Sequence, residues 1–309
     1  MKRKFVSLIL IFVGGIAFAP AVFGQTGLGI SPLTFELSGS PGEVIENFIK
    51  VYNPTDNVIG IRMQIQDIAP AGEEGFITVE PAETETYSLA SWIKTEPTEL
   101  DLQPKEEKYV KFTLTIPENA EPGGHYGTVL ASTISISGPE ATGALIIPRI
   151  GSLVLLTIPG AMKENLIVKD FSLPHRYFSQ GPITFSIKLE NKGTVHVKPT
   201  GYVTITNWLD KKVADIALSS QNVLPGAVRK FDVTFNKKWL WAGKYTATLS
   251  GSYGMSNRAF TPVVITFWAF PWKAAIVILL VLILLILTRR RWLVAFSVLV
   301  RGEKALRRK

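Results

Sequence analysis

Cysteine is absent from the 309 residues, and histidine occurs only three times. The first absence excludes disulfide stapling, thiolate metal sites and cysteine nucleophiles, so each folded unit must stand on its own hydrophobic core. His125, His175 and His196 are far apart and lack the short spacing, to one another or to a carboxylate, that a zinc site needs. No Gly-x-Ser-x-Gly elbow, phosphate loop or dinucleotide fingerprint occurs. These absences predict no enzyme, no metal and no cofactor. Glycosylation acceptors are missing too, because Asn53 is followed by Pro54, and an exported chain with neither feature fits a bacterial source. A basic body is also lacking. Of the net charge of +8, Lys2, Arg3 and Lys4 supply three and the stretch from Thr288 to Lys309 a net seven, which leaves −2 for Phe5 to Leu287. Nucleic acid is thereby excluded as a partner.

What is present begins with an unbroken apolar run, Ala274 to Leu287, with Trp268 and Trp272 before it and Arg289, Arg290 and Arg291 after it. A bilayer core of roughly 30 Å needs about 20 helical residues, and interfacial tryptophans and arginines extend this run to that length. Pro271 suits the first turn of such a helix. The N-terminus has a basic start, an apolar run from Phe5 to Phe18 and small residues after it, the pattern of a secretory signal cleaved after Gly24 or after Ala19, or retained as an anchor. Both positive clusters then lie in the cytoplasm and the body lies outside. Beyond the arginines, Trp292 to Val300 either extends the helix or lies along the inner headgroups, with Lys304, Arg307, Arg308 and Lys309 drawn to anionic lipid.

From Leu28 to Trp268 the apolar residues recur with period two. Ile61, Met63 and Ile65 alternate with Arg62, Gln64 and Gln66, and Val110, Phe112, Leu114 and Ile116 with Lys111, Thr113 and Thr115. Each run is a strand with one wet face, and many short strands with turns between them argue for antiparallel sandwiches. The grammar repeats: Gln103-Pro104 leads into Val110 as Leu224-Pro225 leads into Phe231, at an offset of 121, and Gly243-Lys244-Tyr245 answers Gly124-His125-Tyr126 at an offset of 119. The expected fold is therefore all-β, two tandem immunoglobulin-like antiparallel sandwiches plus one C-terminal transmembrane helix. Its divisions are a signal peptide at 1–24, sandwiches at 25–160 and 161–268, the helix at 269–288 and a basic tail at 289–309. The excursion from Ala69 to Ser88 reads as an exposed loop or flap; the spacing of Glu73, Glu74, Glu80, Glu83 and Glu85 is not that of a known calcium loop.

Ile30-Ser31-Pro32, Val51-Tyr52-Asn53-Pro54-Thr55, Leu102-Gln103-Pro104, Ile116-Pro117 and Glu121-Pro122-Gly123-Gly124-His125-Tyr126-Gly127 together resemble the first domain of the WxL-interacting cell-surface proteins of Gram-positive bacteria. That domain is similar to the immunoglobulin-like domain of pilus chaperones. Asn191-Lys192-Gly193, Val223-Leu224-Pro225-Gly226 and Ala242-Gly243-Lys244-Tyr245 resemble the family's second domain. The resemblance implies peptidoglycan binding by the first domain and host or Trp-x-Leu partner proteins for the second.

Sandwich proteins bind through loops or an open edge, so exposed aromatics are the candidates for recognition. Tyr87 and Trp92 end the glutamate-rich excursion, His125 and Tyr126 follow a glycine turn, and Trp239 and Trp241 sit in a short turn before Gly243. Each ring either caps a core or offers a platform to a sugar or a partner. The expected function is a non-enzymatic surface protein that binds the cell wall or other cell-surface proteins, with membrane lipid held by the helix and tail. The alternative is an envelope assembly factor working by strand addition, with Val110 to Ile116 as its candidate edge.

Overall fold

The structure, a computed structural model, describes residues 27–80, 87–134 and 148–306, without the side chains of residue 80 and of 290–306. The signal expected at 1–24, Glu83, Glu85, the side chains of Arg290 and Arg291, and residues 307–309 lie outside what is described.

Period-two runs become strands throughout. The first domain contains β1 (Gly29–Ser31), β2 (Thr34–Ser38), β3 (Val44–Tyr52), β4 (Ile59–Ala71), β5 (Phe76–Glu80), β6 (Ile93–Glu96), β7 (Glu99–Leu102), β8 (Glu107–Thr115), β9 (Gly123–Ile134) and β10 (Arg149–Ile158). One sheet runs β1-β3-β8-β6 and the other β2-β10-β9-β4-β5, with β7 also on β4. Between them Ile49, Val110, Phe112 and Leu114 meet Ile61, Val129, Val154 and Leu156, all fully buried. The second domain contains β11 (Leu166–Ser172), β12 (Tyr177–Phe178), β13 (Ile183–Asn191), β14 (Thr200–Asn207), β15 (Lys212–Ala217), β16 (Val228–Phe235), β17 (Gly243–Tyr253), β18 (Arg258–Ala259) and β19 (Val263–Ala269). Its sheets run β11-β13-β16 and β12-β19-β17-β14-β15, with β18 on β17, around a core that includes Phe185, Ile187, Val203, Phe231 and Phe267.

Two sandwiches and an apolar helix are thus present as expected, with three local differences. First, β2 and β12 join their sheets parallel to β10 and β19. In each case a proline, Pro32 or Pro174, follows a strand of the other sheet; having no N–H to give the ladder, it lets the chain cross over and continue in the same direction. Second, the excursion after Ala69 is not a loop at its start. β4 continues to Ala71, turns through Gly72-Glu73-Glu74-Gly75 and returns as β5, with Ala71 opposite Phe76. Third, Val110 to Thr115 is not an edge, because β8 is paired with β3 on one side and β6 on the other.

Both domains are closed by the same two corners. Asn53 is fully buried; its Nδ2 donates to the carbonyls of Asn57 (2.7 Å), Leu102 (3.1 Å) and Gln103 (3.0 Å), and its Oδ1 accepts from the Thr55 N–H (2.9 Å). Asn191, equally buried, donates to Val195 (2.8 Å) and Val223 (2.8 Å) and accepts from Gly193 (2.9 Å). At the second corner Gly123 (φ 140°) and Gly243 (φ 143°) open β9 and β17, a backbone setting that L side chains rarely adopt. Two residues later, His125 Nε2 lies 3.0 Å from the Glu121 carbonyl and Tyr245 Oη donates to the Trp241 carbonyl at 3.1 Å. The equivalent of Tyr245 is therefore His125, at an offset of 120, and not Tyr126 at 119. That one-residue step sends Tyr126 to the opposite face of its sheet.

After β19 the helix α1 runs from Trp272 to Leu306. At 1.5 Å per residue its 35 residues span about 52 Å. The stretch Trp272–Arg289 has a mean hydropathy of 2.4 and is nowhere buried against the domains. The backbone continues helical through the arginines, so Trp292 to Val300 extends the helix beyond the segment 269–288 expected from the sequence.

Replacing Asn53 by Ala leaves three carbonyls without their donor at a fully buried corner. We expect a loss of about 3 kcal/mol from the first domain, read as a lower urea midpoint of the full chain. A loss under about 1 kcal/mol would show that the corner does not hold the fold.

Candidate functional site

Alternation along β9 decides what its side chains meet. His125, Val129 and Ala131 point into the first sandwich; Tyr126 points outward, where the second domain covers it. Tyr126, Ile68 and Leu155 form a buried cluster on this outer face, with Leu224 of the second domain packed on them. The Tyr126 hydroxyl accepts the His196 backbone N–H at 2.7 Å and lies 3.3 Å from His196 Nδ1, and burial raises its pKa well above the ordinary phenol value. Gly124 N–H donates to the Thr194 carbonyl at 3.0 Å.

Polar ties flank this cluster on two sides. On one, Glu36 of β2 accepts from Asn222 Nδ2 (2.7 Å) and Lys198 Nζ (3.0 Å). On the other, the β4–β5 turn reaches β16: Lys230 N–H donates to the Glu73 carbonyl (2.6 Å), Lys230 Nζ pairs with Glu74 (3.2 Å) and Lys188 pairs with Glu73. Between the ties lies a groove of about 480 Å³, walled by Ile68, Phe76, Ile77, Leu153 and Leu155 from the first domain and Arg229 from the second. Arg229 is held by Gln221 Oε1 (3.0 Å) and the Asn222 carbonyl (2.6 Å) and has no carboxylate partner among the described residues. Burial pulls its pKa below the ordinary guanidinium value. Gly75 lies so close to that guanidinium that a Cβ there would collide with it.

Tyr87, Trp92, His125 and Tyr126 do come together, but as internal packing. Trp92 ends a 3₁₀ turn, Ala90–Trp92, and its ring centroid sits 4.5 Å from that of His125 against the first core. His125 is 5% exposed, with Nδ1 3.3 Å from the Ser88 carbonyl. Tyr126 is 2% exposed beneath the second domain, with Tyr87 beside it at 6.1 Å. As an open platform for a ligand, His125 and Tyr126 are therefore corrected: the strand period commits one to the core and the other to the domain junction. Trp239 and Trp241, at 77% and 83% exposure, lie at the far end of the second domain, away from the groove. Of the residues expected to flank a membrane, Trp268 and Trp272 are exposed at the end of β19 and the start of α1, and Arg289 is exposed on the helix.

Glu36, His196, Asn222 and Arg229 carry the junction and Asp67 supports it from within the first domain, yet none belongs to a recognisable motif. Asp67 is buried and accepts from Ser88 Oγ, Leu89 N–H and Ala90 N–H, each at 2.8 Å, which fixes the segment bearing Trp92. Its one legible sign is a lone acid inside an apolar alternation. Among the described residues no three His, Asp or Glu side chains gather as a metal site.

No family model matches the sequence, and no curated protein matches it. Among solved structures the chain is similar to the class 5 fimbriae chaperone CfaA, at 12% identity over 78% of this chain and 99% of that one, with a TM-score of 0.38. It is similar also to the E. coli chaperone DraB (10%, 77% and 95%, TM-score 0.37) and to the Pseudomonas aeruginosa CupB2 chaperone (9%, 78% and 100%, TM-score 0.37). At these scores the likenesses carry no argument about what this chain binds; the fold stands on the strand pairing above.

The junction is acid-sensitive by construction. Burial lowers the His196 pKa, with the Glu36 carboxylate opposing, and the Asn222 and Lys198 hydrogen bonds hold Glu36 below its ordinary value. Both groups take up protons less readily folded than unfolded. Their contribution is therefore complete above the ordinary histidine value of 6.5 and is lost as pH falls, through His196 first and Glu36 below 4.5. We expect the urea midpoint of the full chain to fall between about pH 7 and 5, and His196→Gln to flatten that slope. An unchanged slope in the variant would place the acid sensitivity elsewhere.

Proposed function

We propose that the chain is a non-enzymatic binding protein of the cell surface, anchored by α1 across the membrane with its two sandwiches outside and its basic end inside. The groove between the sandwiches takes a segment of a partner surface protein. Arg229 carries this reading. It is a half-buried cation, positioned by two hydrogen bonds, in a groove lined on its first-domain side by Ile68, Phe76, Ile77, Leu153 and Leu155 and carrying also Glu36 and Lys198. Such a groove suits a segment with apolar side chains and one acidic one, because a guanidinium already held in place loses little entropy on binding a carboxylate. The cell-wall ligand implied by the family resemblance is less well served, since a sugar needs an open ring and Tyr126 and His125 are covered. The partner surface protein implied by the same resemblance is retained.

Strand addition is a second reading, moved from β8 to β16. Among the described residues β16 pairs with β13 on one side only. Its Lys230 N–H points outward to Glu73, so by alternation Asp232 and Thr234 also turn their backbone groups outward. A segment leaving the groove past Arg229 reaches that edge next.

The test places a photoreactive phenylalanine analogue at Phe76, on the rim of the groove, or at Tyr109, exposed on the other sheet, in full-length chain in its native membrane. A discrete polypeptide adduct at Phe76 that is weakened by Arg229→Ala and missing at Tyr109 is expected. An adduct indifferent to Arg229→Ala but lost with Thr234→Pro would favour strand addition. No adduct, together with retention of the chain on insoluble peptidoglycan, would return the function to the wall.

A further inference from the structure

The exposed aromatics of the second domain gather at the end where α1 leaves it. Gly243, the first residue of β17, pairs with Ala269, the last of β19, and Asn207, the last of β14, pairs with Tyr245. That end therefore carries the turns Trp208-Leu209 and Trp239-Leu240-Trp241 together with Phe270 and Trp272. The chain's exit is pinned there: Phe270 N–H donates to the Phe178 carbonyl and Trp272 N–H to the Phe270 carbonyl, each at 2.8 Å. Trp241 stands two residues outside the Gly243–Ala269 rung and Trp272 three residues outside it on the same side, so the two lie at similar height. Trp208 packs on Gly243, and the Trp239 loop is tied to the neighbouring turn by the Gly181 N–H to Lys238 carbonyl bond at 3.3 Å. Trp208, Trp239 and Trp241 are 62%, 77% and 83% exposed, while the buried Leu240 between the last two anchors their turn.

We infer that this end of the second domain lies in the headgroup layer of the bilayer that α1 enters, with Trp208, Trp239 and Trp241 as wedges. The inference rests on the membrane-spanning reading of α1. Tryptophan, an apolar ring with one N–H donor, is the side chain that favours this layer. Lys237, Lys238 and Lys244 surround the rings and are exposed, with Asp210 the nearby acid, so anionic lipid is the complementary surface. If α1 spans the membrane, Trp272 sits at headgroup depth, and Trp241, two residues beyond the rung that pairs its strand with β19, is placed to meet the same layer. The groove, at the opposite end of β17, is then held roughly 35 Å from the lipid.

Because the chain has no cysteine, single ones can report depth. An environment-sensitive fluorophore is placed at Ala242→Cys, which keeps both tryptophans, at Leu280→Cys in the helix, and at Met255→Cys, exposed near the first domain. The full-length chain is reconstituted in phosphatidylcholine–phosphatidylglycerol vesicles and quenched either by iodide in the water or by a nitroxide borne near the lipid headgroup. We expect the nitroxide to quench position 242 several-fold more than position 255, and Trp239→Ser with Trp241→Ser to bring 242 down to the level of 255. If 280 faces lipid while 242 behaves like 255, this inference fails and the anchor stands. If 280 does not face lipid, the anchor fails and the inference with it. Shielding of 242 from iodide without nitroxide quenching would mark a protein contact, such as a second copy of the chain, and would overturn the lipid assignment.

Discussion

The outer face of the β2-β10-β9-β4 sheet is the constraint on which this molecule turns. A sandwich needs its inner faces dry, yet here Ile68, Tyr126 and Leu155 make the outer face apolar as well. Ile77, Tyr87 and Leu153 cover that patch in part from its own domain and Leu224 of the second domain completes the cover, and the Tyr126 hydroxyl must then find a partner in the covering loop, which it does at His196. The ion pairs around the patch are largely exposed and individually weak. They set the angle at which the two sandwiches meet, while the buried cluster makes them meet. The groove is a by-product of this geometry: two curved domains touching at a central patch and at two rims leave space between.

Much of this architecture is legible in the residues, and the illegible part has a physical pattern. Strand alternation reports which residues share a face but not which face is inner. His125 and Tyr126 are adjacent and both aromatic, so the sequence pairs either of them with Tyr245 equally well; only the φ of Gly123 and the carbonyl at Glu121 distinguish them. Position within a sheet is likewise silent. Val110 to Ile116, with its lysines and threonines, looks like an edge because its wet side is solvent, but solvent lies above the sheet there and not beside it: Phe112 faces the core while β3 and β6 take the backbone on either side. The excursion after Ala69 is misread for a related reason. Its glutamates look like loop composition, although Glu73 and Glu74 turn out to be the acidic tip of a hairpin aimed at Lys188 and Lys230 in a domain more than a hundred residues away.

The site itself was beyond the reach of motif reading, because nothing in it is a motif. Glu36, Asn222 and Arg229 are single polar residues on three separate elements, and their meaning comes from a domain interface that no local window contains. The repeated corners show the contrast. Asn53 and Asn191 each act on a carbonyl four residues away and on one turn ahead of a proline, so the same short grammar recurs in both domains and is visible as a repeat. Locally closed interactions leave a signature in sequence; those closed between domains leave only isolated polar residues.

One strand joins the two functional ends. Arg229 stands near the start of β16, in the wall of the groove, and the turn with Trp239 and Trp241 follows shortly after its end at Phe235. Eight residues of strand at about 3.3 Å each make a strut of roughly 26 Å, held along its length by β13. A strut paired in this way does not stretch, so the groove cannot approach or leave the lipid without tilting the whole second domain. With the aromatic end seated in the headgroup layer, tilting is opposed at two points, the helix and the tryptophan turn, instead of at one. A single flexible tether would let the groove sample every height above the membrane. On the proposed seating the fold presents it at one height and in one orientation, as recognition of the proposed partner on the same surface requires.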